Sequence, residues 1–125
     1  MKKRVGLVLL LLAVVAVMAF AATRIRFTAN IGNDYEQAPI RVNWVETSKL
    51  LGNTTVYINY TVMSDVESML LCCKVTSPTP KFGAWNRFDN TEALITKGKT
   101  YTANMGSTTL NVSAVEVWLE KVKMK

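Results

Sequence analysis

Hydrophobic and polar residues alternate along Thr54–Met63 more regularly than anywhere else in the chain. The apolar positions fall on one side and the polar positions on the other, with Val56, Ile58, Tyr60 and Val62 facing away from Thr55, Tyr57, Asn59 and Thr61. A period of two residues, carried by β-branched and aromatic side chains, is typical of a strand buried on one face. The pattern therefore predicts a strand packed on a core.

The same alternation predicts further strands, separated by turn-rich segments. These strands cover residues 23–29, 40–44, 67–76, 93–96 and 100–105, and the longest connector between them runs from 77 to 92. Residues 110–122 also alternate, although Val115, Trp118 and Val122 fit helical spacing as well; the valine content favours a strand. We expect an all-β fold, an immunoglobulin-like antiparallel β-sandwich of about seven to eight strands.

The first 21 residues have the three parts of a secretory signal peptide. Lys2, Lys3 and Arg4 precede an uncharged run from Val5 to Ala22, which contains the small residues that signal peptidases prefer. We expect cleavage after Ala21, leaving residues 22–125 as a single domain. The alternative is a retained membrane anchor, which is less favoured because a spanning helix needs about 20 apolar residues.

The formal net charge of +6 depends largely on this leader. Removal of Lys2, Lys3 and Arg4 lowers it to +3, and the remaining basic residues are scattered among acidic ones. Phosphate tracking needs clustered basic residues, so nucleic acid is excluded as an expected partner. The predicted location is secreted, periplasmic or at the cell surface, with membrane contact only through an uncleaved leader.

Composition also restricts the chemistry. The chain has no histidine, which argues against Ser/His and Cys/His nucleophiles and against common zinc hydrolases. Acidic residues lie in or beside predicted turns, where solvated carboxylates are usual, and the stretches Asn33–Glu36 and Asp89–Glu92 lack the spacing of a calcium loop. We expect no enzyme, no cofactor and no metal site; a small hydrolase built on turn carboxylates is the remotest alternative.

Two adjacent cysteines, Cys72 and Cys73, are the only ones in the chain. Neighbouring side chains of a strand point to opposite faces, so a disulfide between them would require a broken strand. Cys73 shares a face with Leu71 and Val75 and is expected in the core. Cys72 lies on the other face, where it is either a solvent-facing thiol open to an intermolecular bridge or an inert residue under a second cover.

The connector before residue 93 contains regularly spaced aromatic residues. Phe82, Trp85 and Phe88 lie three residues apart, and Arg87 stands among them. Exposed rings with polar neighbours would stack on a sugar or bind a partner protein, which makes this loop a candidate binding site. The favoured interpretation is that the rings fold back and cap one end of the sandwich.

The first predicted strand begins directly after the predicted cleavage site. Its residues Arg24, Ile25, Arg26 and Phe27 form a candidate assembly strand that completes the sheet of a second copy. The alternative is a strand that pairs only within its own domain.

Three Asn-x-Ser/Thr triplets, at Asn53, Asn59 and Asn111, are consistent with exposure of these asparagines. The sequence as a whole predicts a secreted, non-enzymatic structural or interaction module of the cell envelope or surface, which self-associates through strand edges. Its expected partner is protein, including a second copy of itself, or a glycan. The alternative function is carbohydrate or peptide binding by the aromatic loop.

Overall fold

A computed structural model describes residues 22–32, 38–77 and 85–125 of the chain. The predicted signal peptide, residues 1–21, lies outside these ranges, and so does Phe82 of the predicted binding loop. Across the described ranges, no helix has the length and apolar character needed to cross a bilayer.

Seven strands and no helix make up the described residues, which confirms the all-β class. The strands are β1 (Thr23–Asn30), β2 (Ile40–Leu50), β3 (Asn53–Val62), β4 (Val66–Thr76), β5 (Trp85–Asn90), β6 (Thr100–Thr108) and β7 (Ala114–Met124). The final segment is therefore a strand, as its valine content indicated. The prediction was wrong for residues 93–96, which form no strand, and for the 77–92 connector, which contains β5.

The strands join in one mixed sheet in the order β5-β4-β7-β1-β2-β3-β6. β1 pairs antiparallel with β2 through Thr23–Ile25 and parallel with β7 through Arg26–Asn30, and every other pairing is antiparallel. The sheet is nearly barrel-shaped, since the outer strands β5 and β6 also contact each other. An immunoglobulin-like sandwich is not confirmed by this arrangement.

The core is built from the side chains that the alternation placed inward. Both halves of the sheet contribute, so that β2, β3 and β6 pack against β4 and β7. The buried apolar residues are Ile40, Val45, Val56, Ile58, Tyr60, Val62, Val66, Met69, Leu71, Cys73, Val75, Ala103, Met105, Val115 and Val117. The buried Tyr60 hydroxyl donates to the Leu94 carbonyl oxygen at 2.8 Å, which ties the segment after β5 to the core.

β2 and β3 form a hairpin that is longer than the sequence pattern indicated. The pattern ended the strand at Trp44, whereas β2 continues to Leu50 and pairs with Asn53 at the start of β3. Leu51 and Gly52 form the turn, with φ values of 50° and 80°. Positive φ at both positions is typical of a type I′ turn, which matches the twist of the strands. A leucine at such a position costs about 1–2 kcal/mol relative to glycine.

β5 and β6 meet along a seam made by side chains rather than by a backbone ladder. The Phe88 ring lies over Gly106, whose φ is 132°, and a Cβ atom on Gly106 would stand 2.9 Å from that ring. A bulge in β6 at this point shifts the β3–β6 register between Val56 and Tyr57. The Asn90 amide adds a hydrogen bond to the Asn104 carbonyl oxygen at 3.3 Å. Close packing at the seam therefore depends on a glycine at 106.

We expect Gly106→Ala to destabilise the protein by about 1–3 kcal/mol through crowding of Phe88, in addition to the strain of positive φ. Gly98→Ala is the matched control, because Gly98 has a φ of 82° but no atom within 4 Å of an added Cβ. Urea denaturation measures both variants. Equal losses of unfolding free energy would show that the seam is not tightly packed.

Candidate functional site

Trp85, Arg87 and Phe88 of the predicted binding loop belong to the strand β5. Its register partners on β4 are Thr76 for Trp85 and Lys74 for Arg87, so the two β5 side chains lie on the outer face of the sheet. Phe88 points the other way and packs against the core. The structure thus places two predicted binding residues, Trp85 and Arg87, on one surface and separates Phe88 from them.

Arg87 is the centre of an ordered cluster on this surface. Its Nε donates to Asp89 Oδ1 at 2.9 Å and its Nη2 to Glu120 Oε2 at 2.8 Å. The guanidinium carbon lies 5.3 Å from the centroid of the Trp118 ring. Trp118 Nε1 donates to the same Glu120 oxygen at 2.7 Å. We call these four residues, Arg87, Asp89, Trp118 and Glu120, the Arg87 cluster.

The hydrogen bonds of the Arg87 cluster favour its charged forms. The pKa of Glu120 is lowered, first by the hydrogen bond from Trp118 and then by the one from Arg87. The pKa of Asp89 is lowered chiefly by its hydrogen bond with Arg87, and the pKa of Arg87 is raised by both carboxylates. These groups lie near the surface, so the ion pairs add little stability and serve mainly to hold the side chains in place.

Cys72 lies directly beneath the Arg87 cluster. Its side chain is fully buried although it is on the outer face, and Arg87 Nη2 lies 3.7 Å from its sulfur. Burial, assisted by a hydrogen bond with Asp89, raises the pKa of the Cys72 thiol to about 12. Cys73 is in the core, where burial raises its pKa to about 12. Both thiols are free, and Cys72 is covered rather than open to solvent.

Trp85 is the exposed aromatic residue of this surface. Its side chain is 53% exposed, and the ammonium group of Lys74 lies 5.0 Å from the centroid of its ring. An exposed indole beside a cation can stack on a sugar ring or on a flat peptide group. By contrast, the Trp118 ring is engaged by Arg87. Direct contact with a ligand on this surface therefore centres on Trp85 and Lys74.

No known protein family, curated sequence or solved structure matches this chain.

Three members of this surface were missed by sequence reasoning. Lys74, Trp118 and Glu120 all fall on outward positions of alternating strands, so the pattern gave their face correctly. The pattern could not show that β7 lies beside β4, which brings Trp118 and Glu120 under Arg87.

The candidate assembly strand β1 lies in the middle of the sheet. Ile25 and Phe27 pack against the core, while Arg24 and Arg26 are exposed. Arg24 lies over the Trp44 ring at 4.1 Å from its centroid. β1 has neighbours on both sides, β2 and β7, and is not an edge strand in this structure.

The outer face of β2, β3 and β6 carries a network of amides and hydroxyls. Asn43 donates to Asn59 and Thr61 at 2.9 and 3.0 Å, Asn59 donates to Thr102 at 3.0 Å, and Thr61 bonds to Thr100 at 2.8 Å. Asn59 is buried by these contacts, whereas Asn53 and Asn111, which begin the other two triplets, are exposed.

No three acidic or cysteine side chains converge as metal ligands within residues 22–32, 38–77 and 85–125. In Asp89–Glu92, one of the two stretches considered and set aside as calcium ligands, Asp89 is bonded to Arg87, and the Asn90 side chain accepts the backbone N–H of Glu92 at 2.9 Å. The other stretch, Asn33–Glu36, lies outside the described residues.

We expect both thiols of the native protein to resist alkylation at neutral pH, and Arg87→Ala to raise the reactivity of Cys72 at least about tenfold by uncovering it. Cys73 should stay protected because it lies on the core face. Tandem mass spectrometry after timed alkylation assigns the modified residue. Arg41→Ala, which removes an exposed arginine from the other half of the sheet, is the control; equal labelling of both thiols in Arg87→Ala would contradict the assigned cover.

Proposed function

We propose that this protein is a secreted, non-enzymatic structural or interaction module of the cell envelope or cell surface, and that copies associate by exchanging β1. The leader-like residues 1–21 support export. The observation that carries the assembly proposal is that each β1 residue pairs on one side only. None of its eight residues is buried; three of them pair with β2 and the other five with β7, although β1 lies in the middle of the strand order.

The position of β1 suits exchange between copies. If β1 leaves, the facing edges of β2 and β7 lose their hydrogen-bond partners and form a slot for an extended segment. The β1 of a second copy supplies the same residues in the same register, so exchange restores every lost hydrogen bond. Strand addition of this kind gives affinity through the main chain and selectivity through alternate side chains, here Ile25 and Phe27.

The outer edges of the sheet are poorer sites for association. β5 and β6 face each other across the Phe88–Gly106 seam, and Asn90 of β5 is bonded to the backbone of β6. Covered edges resist recruitment by another chain. The edges released by β1 are therefore the better assembly surface.

We also propose a sandwich-like division of the sheet at β1. The β1 segment Thr23–Ile25 belongs with β2, β3 and β6, and the segment Arg26–Asn30 belongs with β7, β4 and β5. Strands that pass from one layer to the other are a known way to build the corners of packed sheets. This division would supply the two layers of an immunoglobulin-like arrangement.

A disulfide between β1 and β2 tests exchange. Arg24 and Glu46 are register partners, so Arg24→Cys/Glu46→Cys should cross-link within one chain in dilute protein and between chains in assembled protein. Ser48→Cys/Thr55→Cys is the matched control, because it joins β2 to β3 and should stay intramolecular. Analytical ultracentrifugation and non-reducing electrophoresis of the exported protein provide the readouts.

Two results would contradict this proposal. A protein that stays monomeric at all concentrations does not self-associate. An assembled protein in which every engineered β1–β2 disulfide is intramolecular associates without exchanging β1. Deletion of residues 23–29 should abolish association, and circular dichroism shows whether the remainder stays folded.

A second candidate function is carbohydrate or peptide binding at Trp85, favoured by its exposed ring and the adjacent Lys74. Of the residues first proposed for this site, Arg87 holds the neighbouring cluster and Phe88 is turned inward. Titration with glycans and extended peptides should shift the tryptophan fluorescence of the native protein. Trp85→Ala should lose the shift, while Trp44→Ala, which removes a cation-stacked indole from another surface, should retain it; loss in both variants would contradict a site at Trp85.

A further inference from the structure

The β2–β3 hairpin presents two leucines to solvent at its tip. Leu50 is 72% and Leu51 is 94% exposed, the highest values among the large exposed hydrophobic residues of the described chain. We call this pair the leucine tip. Leu51 also occupies a positive-φ turn position, where Asn followed by Gly is the usual choice. Leucine here favours neither the turn nor the core, so folding alone does not account for it.

The leucine tip lies at the end of the sheet where β1 begins. Thr23 is the register partner of Thr47, and Leu51 follows four residues later along the same hairpin. A strand advances about 3.3 Å per residue, so the tip projects roughly 13 Å beyond Thr23. The uncharged run Val5–Ala22 ends immediately before Thr23. A membrane that holds this run during export or anchoring therefore faces the end of the sheet that carries the leucine tip.

The charge beside the leucine tip complements a lipid surface. Lys49 immediately precedes the leucines and is exposed, whereas Arg24 and Arg26 lie further along the sheet, one and three residues beyond Thr23. Basic side chains beside a small apolar projection are the combination by which peripheral segments engage anionic headgroups and the acyl boundary beneath them.

We propose that the leucine tip docks into the interfacial region of a lipid bilayer. Leu50 and Leu51 enter the boundary between headgroups and acyl chains, and Lys49 contacts the phosphates. The long axis of β1 then stands away from the membrane, with the Lys97–Lys99 turn at the far end. This docking does not depend on exchange of β1.

Site-specific labelling of the full chain tests the orientation. The two native thiols are buried, so a cysteine introduced by Leu51→Cys can be labelled selectively with an environment-sensitive dye. Leu94→Cys is the matched control, because Leu94 is 59% exposed in the segment after β5, at the opposite end of the sheet. The labelled chains are mixed with vesicles of phosphatidylcholine and phosphatidylglycerol that carry a quencher on their acyl chains.

We expect the quencher to reduce emission at least about twofold more at position 51 than at position 94. Equal quenching at the two positions, or none at position 51, would overturn the proposal. The same dye-labelled proteins without lipid test whether the leucine tip instead contacts a second copy of the chain. A concentration-dependent change at position 51 without lipid, together with no further change on adding vesicles, would assign the leucine tip to self-contact instead.

Leu51→Asn tests the premise that this leucine is not selected for folding. Asparagine tolerates the left-handed backbone better, so the thermal midpoint should stay unchanged or rise by a few degrees. In a Leu50→Cys variant that carries the dye at position 50, adding Leu51→Asn should diminish lipid quenching severalfold. A lower thermal midpoint in Leu51→Asn, or undiminished quenching, would contradict the proposal.

Discussion

β1 hydrogen-bonds to β2 with its first three residues and to β7 with its last five, and through this change of partner the two halves of the sheet become one. Its antiparallel pairing with β2 places the start of the chain's first strand toward the turn of the β2–β3 hairpin. The same strand has no buried residue. Continuity of the sheet, the position of its N-terminal end beside the hairpin turn and the proposed assembly therefore all depend on one strand whose residues each pair on one side only.

Strand alternation then creates two different environments from adjacent residues. Cys73 enters the apolar core, while Cys72, one position away, lies under polar and aromatic side chains on the outside. Side chains that hydrogen-bond to one another cover much of the outer surface. They belong to the Arg87 cluster and to the amide and hydroxyl network on β2, β3 and β6. Trp85 and the leucine tip are among the large apolar side chains that stay exposed. The proposed contacts with ligand and lipid are made by these exposed apolar side chains.

Sequence alone predicted the strands whose inward positions are uniformly apolar, because burial of one face leaves a period of two. β3 and β4 are examples. β5 was missed because Trp85–Asn90 contains no β-branched residue and only Phe88 packs inward. The second half of β2 was missed because Thr47 is buried despite being polar. Pairing partners were beyond reach, since a pattern indicates which face a residue occupies but not which strand lies beside it.

The same limit applies to the candidate site. Trp85 and Arg87 were recognised as unusual, but their partners come from β4 and β7, which are distant in sequence and adjacent only in the sheet. Burial of Asn59 has a consequence for its Asn-x-Ser/Thr triplet. The amide nitrogen, where an oligosaccharide would be attached, lies 3.0 Å from the Thr102 hydroxyl on the common surface of β2, β3 and β6. A glycan at this position is therefore sterically incompatible with the folded sheet.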